Sequence, residues 1–186
     1  NDCALKEFGI VKDMPDPDGS VVTRYEDGTP TGYVQEAIVM DIADKAMSAM
    51  ETSPQLMKNN LKKLLRECNQ YGITGVNNPR AKNPAWLDVY EQMAVEEALS
   101  CRIILTQDFW PEDYLESAAL LAKRFPDNEA NVYFYAIKCF YDGVGIGYTS
   151  WQLKPFHDRP DWSGEPVIPE EQLYEKTMGA IASGRH

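Results

Sequence analysis

The sequence predicts an α/β protein made of parallel βα units, with a small β-hairpin segment ahead of them. Three observations carry this reading. Short apolar runs centre near Thr74, Ile104 and Ala136, spaced by about thirty residues, the size of one βα repeat. Amphipathic stretches with helix-start signals separate those runs. Residues 20–35 instead hold two β-rich stretches on either side of Asp27-Gly28, a dipeptide that favours a tight hairpin turn. The chain therefore divides into an insertion segment with a β-hairpin at 1–50 and a βα portion at 51–186. Periodicity alone leaves open whether the units belong to an eight-stranded barrel or to a small open sheet.

In chain order, a loop rich in Pro, Asp and Gly at 13–19 precedes Val21–Tyr25, the first hairpin strand, and Thr31–Val34 is the second. Ser53 is a good N-cap, and Pro54 suits the first helical position. Met57, Leu61, Leu64, Leu65 and Cys68 then form one apolar stripe, which Gly72 ends. Ile73–Val76 is a short strand, and Pro84 opens a helix with Leu87, Tyr90, Met93, Ala94 and Ala98 on one side. Cys101–Thr106 is the second strand. Pro111-Glu112 opens a helix with Leu115, Ala118, Ala119, Ala122 and Phe125 on its apolar side. Val132–Tyr141 is the third strand, and Pro169-Glu170-Glu171 opens a last helix. Nearly continuous apolar strands between helices imply a parallel sheet covered on both faces.

Composition narrows the function classes. The 186 residues are 44% hydrophobic and carry a net charge of -11. That acidity argues against nucleic acid and anionic membrane as partners, since both need clustered Lys and Arg. No apolar run approaches the roughly 20 residues of a membrane span. The N-terminus shows no charged-then-apolar leader, so a cytoplasmic protein is expected. It also lacks a starting Met, which suggests an internal piece of a longer protein. Cys3, Cys68, Cys101 and Cys139 form no CxxC pair and read as buried reduced thiols.

The most informative residue is Lys138. Strand alternation puts it on one face with Ala136, Phe140 and Asp142. A buried ammonium is costly unless it pairs or loses its charge. Pairing with Asp142 or with another strand's carboxylate is the bland solution. The functional one is an amine freed near neutral pH, either for a Schiff base or for capture of carbon dioxide as a metal-bridging carbamate. Asp142-Gly143-Val144-Gly145-Ile146-Gly147 follows, but a dinucleotide loop would open a helix directly. A long loop with Trp151, Phe156, His157 and Trp162 follows instead, at the end of a parallel strand where α/β proteins place substrate contacts. His157 and His186 have no ligand spacing, and Glu96-Glu97 and Glu170-Glu171 read as solvated or helix-start carboxylates.

Several short motifs, in shared order, resemble amidohydrolase family 3, the branch of the amidohydrolase superfamily that includes N-substituted formamide deformylases. Asn1–Leu5 is similar to N-S-x-A-L. Asp16–Gly19, Asp27–Gly32 and Glu36 look like D-P-x-G-G, D-G-x-P-T-G and the Glu that follows. Tyr71–Val76 resembles L-G-I-T-S-V, and Ile137–Gly143 resembles V-K-I-F-x-D-G.

The resemblance implies a partial TIM barrel, with the first segment as an insertion after the first barrel strand. It implies that Lys138 is the barrel lysine, carboxylated to bridge two divalent metals, zinc being the expected one. Asp142 then matches the motif's aspartate and shapes the site floor. The activity implied is hydrolysis of non-peptide carbon–nitrogen bonds in a small-molecule substrate. The family's H-x-H pair would lie before Asn1, and its later histidines and last aspartate after His186, which does not itself align with a metal ligand. The chain alone is therefore expected to bind no metal, to be inactive, and to self-associate through open strand edges. Gly147-Tyr148-Thr149 replaces the family's S-R-T, which removes an Arg. Two other readings stand beside this one: a non-catalytic binding or scaffold module derived from the fold, and a Schiff-base lyase using Lys138.

Overall fold

Asp27 and Gly28 turn the chain as their chemistry predicts. Gly28 adopts φ +82°, and a Cβ there would collide with the Asp13 carboxylate. The Asp27 carboxylate accepts from the Thr29 N–H at 2.9 Å, which holds its carboxyl below the usual range. In this computed structural model, which describes residues 1–17, 19–49, 53–126 and 130–184, the turn joins β1 (Ser20–Arg24) to β2 (Pro30–Glu36) as an antiparallel pair. Two helices flank the hairpin in sequence: α1 (Asp2–Glu7), capped by Asn1, and α2 (Ala37–Ala49). Neither is anticipated from the sequence. Ile38 of α2 buries with Ile10 and Val22, and Leu5, Phe8, Val34 and Ile42 pack against these three. Arg24 meets Asp16 at 2.5 Å, and Asp16 also accepts from the Val22 N–H. The hairpin and its helices form one of two compact units, Asn1–Glu51 with Phe140–Glu170.

The second unit comprises Thr52–Cys139 and Glu171–His186. Ser53 caps α3 (Pro54–Gln70) by accepting from the Leu56 N–H at 3.2 Å. At the other end Gly72 takes φ +73°, and the Gly72 and Ile73 N–H groups donate to the Asn69 and Cys68 carbonyls. This closes the helix with the left-handed cap predicted. Met57, Leu61 and Leu65 are buried, whereas Leu64, expected on the same stripe, is half exposed. β3 is short, Gly75–Asn78, and starts beyond Ile73. α4 (Pro84–Val95) follows with Asn83 as its cap, and then β4 (Arg102–Asp108). α5 runs Tyr114–Arg124, so Pro111-Glu112 sits in the turn ahead of it and does not open it. β5 is Val132–Lys138, ending three residues before Tyr141, and α6 is Glu170–Ala182.

β3, β4 and β5 pair in that order and are parallel, as the βα spacing predicts. The helices cover one face. Ile103, Leu105, Val132 and Phe134 join Met57, Leu61, Leu65, Leu87, Met93, Leu121 and Phe125 in the main core. The alternate positions Ile104, Thr106 and Tyr133 are absent from that core among the described residues. Coverage of both faces by helices, expected from the apolar strands, is not what the main core shows. α6 buries none of its apolar side chains, and Met178 and Ile181 are exposed. Of the four cysteines, all free thiols, Cys101 is buried while Cys3 and Cys139 are exposed, against the expectation that all would be buried.

Candidate functional site

Parallel strands end at a common edge, and the loops that leave it are where this class of sheet builds its sites. Here that edge carries Asn78 at the end of β3, Asp108 at the end of β4 and Lys138 at the end of β5.

A register shift decides where Lys138 faces. Leu105 pairs with Phe134, but the next residue, Thr106, pairs with Ala136, leaving Tyr135 as an extra residue in β5. Alternation across a strand has period two, so one inserted residue exchanges the faces beyond it. Without the bulge, Lys138 would share the helix-packed face of Val132 and Phe134. With it, Ile137 packs on that core, and Ala136 and Lys138 turn to the opposite face with Thr106 and Asp108. The ammonium therefore avoids the apolar core, and Lys138 is only partly buried. Its carbonyl accepts from the Phe109 N–H at 3.1 Å, tying the ends of β4 and β5 together.

Asp108 pairs directly with Lys138 in register and is 1% exposed. Its Oδ2 accepts from Arg80 Nε at 2.6 Å, while its Oδ1 is buried with no hydrogen-bond partner among the described residues. Arg80 is placed by the turn after β3, where its N–H donates to Asn78 Oδ1 at 3.2 Å. The Thr106 hydroxyl donates to the Asn78 carbonyl at 3.2 Å, and the Ala81 N–H donates to the Thr106 carbonyl at 2.9 Å. The turn is thus stitched onto the end of β4. Asn78 donates to the Tyr90 hydroxyl, whose pKa burial pushes up. Beyond Asp108, Phe109 lends its carbonyl to Lys176 Nζ at 2.8 Å, and that ammonium also sits 4.8 Å from the Tyr114 ring centre.

Asp142 lies past the end of β5, so strand alternation does not relate it to Lys138. Its Oδ2 accepts from the Trp151 N–H at 2.8 Å and shapes the loop that follows. Glu36 anchors the same loop from the end of β2. It holds the Thr149 hydroxyl while adopting φ +65°, a conformation that costs a non-glycine residue free energy unless its surroundings fix it. A Cβ on Gly143 would collide with both side chains, which explains the glycine at this position. The aromatic loop folds largely on itself. Trp162 Nε1 donates to the Tyr148 carbonyl at 2.5 Å, and the Arg159 guanidinium lies 3.8 Å from the Tyr148 ring centre. His157 is exposed, and His186 lies outside the described residues.

No group of three or more His, Cys, Asp or Glu side chains among the described residues is arranged to hold a metal ion. The polar cluster at the sheet edge is Lys138, Asp108 and Arg80. Sequence reading singled out the first alone. The second lies in Thr106-Gln107-Asp108, three polar residues that follow the apolar run 103–105 of β4.

A model of the amidohydrolase family, family 3, matches residues 1–182. Over 177 residues the chain is 28% identical to YtcJ of Bacillus subtilis (strain 168), a proposed amidohydrolase, and the alignment covers 93% of this chain and 32% of that protein. The chain thus spans about a third of the length of that curated relative. Two crystal structures of uncharacterized metal-dependent hydrolases share its fold. The one from Pyrococcus horikoshii OT3 superposes with a TM-score of 0.63 at 19% identity, over 100% of this chain and 35% of the other. The one from Pyrococcus furiosus gives a TM-score of 0.62 at 16% identity, over 100% and 36%.

Proposed function

The chain belongs to the amidohydrolase family, and from that premise we propose that it forms part of the catalytic barrel of a metal-dependent hydrolase acting on amide-type carbon–nitrogen bonds of a small-molecule substrate. The observation that carries the proposal is the β5 bulge, which turns Lys138 away from the helices at the carboxyl edge of a parallel sheet. One-sided helix packing supports a barrel segment over an open sheet, because a doubly wound sheet buries both faces under helices whereas a barrel turns one face inward.

Lys138 is the residue of this chain that holds the divalent metal, zinc being the first candidate. Its amine nitrogen adds to the carbon of carbon dioxide and loses one proton to solvent. The resulting carbamate has one negative charge, two ligand oxygens and one remaining N–H. The metal pair, when bound, supplies Lewis acidity toward the scissile carbonyl and toward water. The other ligands are assigned to the part of the relatives that lies outside the matched region. Asp142 completes the motif and organises the following loop through Trp151. In the full-length protein, Lys138→Ala is expected to abolish metal content, measured by elemental analysis, together with hydrolysis of N-acyl or N-formyl substrates. A variant that kept stoichiometric metal and activity would overturn the proposal.

A further inference from the structure

Asp108 is the most costly polar group at the edge of the sheet. A carboxylate oxygen that is buried without a partner forfeits its hydration and receives nothing in return. Asp108 Oδ1 is in that state among the described residues, at 1% exposure of the residue, while Oδ2 is held by Arg80 at 2.6 Å. We propose that Asp108 is a positioning residue for Lys138: its Oδ1 accepts the single N–H that the Lys138 nitrogen retains once it is carboxylated. The inference rests on the reading of Lys138 given above.

Three observations converge on it. Asp108 and Lys138 are register partners on adjacent parallel strands, so their side chains share a face at a strand separation of about 4.8 Å. The bulge that brings Lys138 to this face falls between the Thr106 and Asp108 pairings and the rest of the sheet. Arg80 neutralises the carboxylate, so Asp108 accepts a hydrogen bond without placing a second uncompensated negative charge beside the carbamate. The same guanidinium makes Asp108 a poor metal ligand, because a dication would be held against a fixed cation.

The test uses the full-length protein with carbon-13 bicarbonate and zinc, reading the carbamate carbon by NMR and zinc content by elemental analysis. Asp108→Asn keeps the shape. Its amide oxygen turns to Arg80, which leaves an NH2 donor facing the carbamate N–H. The bicarbonate concentration for half-maximal carbamate is expected to rise roughly tenfold, the size of one charge-assisted hydrogen bond, and a space-filling role alone would not move it. A wild-type carbamate with Asp108→Asn within about twofold of it overturns this inference and leaves the Lys138 reading standing. Absence of any carbamate in the wild type overturns both. Should Asp108→Asn fail to fold, exchange of the carbamate N–H in the wild type decides the matter: slow exchange supports the bond, and exchange as fast as in a free alkyl carbamate overturns it.

Discussion

The hairpin unit and the sheet unit are held together in different ways. In the sheet unit, order comes from apolar burial: Leu65, Met93, Ile103 and Leu105 are at most 1% exposed, and they come from two helices and the central strand. In the hairpin unit the apolar cluster among the described residues is small, Ile10, Val22 and Ile38, and polar stitches accompany it: Asp27 on Thr29, Asp16 on Arg24 and Val22, Glu36 on Thr149. Removing apolar volume should therefore hurt the first unit more, and removing single polar atoms or glycines should hurt the second more.

The largest expected effect is in the sheet. Leu105→Ala, followed by chemical denaturation, should cost roughly 2–5 kcal/mol through the cavity it leaves. Val22→Ala in the smaller core should cost about 1–2 kcal/mol. Equal losses would remove the distinction between the units. Gly143→Ala comes next. Its methyl would meet Thr149 and Glu36, so amide exchange should accelerate through residues 143–150 while β4 stays protected. Uniform acceleration along the chain would contradict the local role assigned to that glycine.

The smallest effect concerns pH. The Val22 N–H, and after it Arg24, hold the Asp16 carboxyl below its usual range. A depressed folded-state value contributes stability that is present above the unfolded pKa and is lost as pH falls through the folded one. Wild type should therefore lose hairpin stability on acidification below the normal carboxylate range, and Asp16→Asn should flatten that dependence. An unchanged acid profile in the variant would show that the Asp16 stitch contributes nothing.

The two units were unequally legible in the sequence. The sheet unit announced itself through period and caps: Ser53-Pro54 and Gly72 bounded α3, and the apolar runs with βα spacing pointed to three parallel strands, although β3 lies two residues beyond the run read for it. The face of Lys138 was not legible, since counting along β5 gives strict alternation and the bulge at Tyr135 arises only from pairing with β4. Asp108 was missed for a related reason. Its importance lies in a register partner thirty residues away and in Arg80, neither of which is adjacent in sequence. In the hairpin unit the Asp27-Gly28 turn was read correctly, while α1 and α2 were not; in α2 the exposed Val39, Met40 and Met47 blur the stripe formed by Ile38 and Ile42. The exposed face of α6 was unforeseen because helical spacing says which residues align and not whether anything covers them.

The proposed role of Lys138 as a metal-holding residue depends on the β5 bulge, which turns it to the sheet face that carries Asp108. Zinc-edge anomalous diffraction from crystals of the full-length protein tests it most directly. A pair of zinc peaks bridged by density continuous with Lys138 Nζ is expected, on the sheet face that also carries Asp108. Zinc bound elsewhere, with Lys138 as an unmodified amine or turned toward Phe134 and Val132, would contradict it.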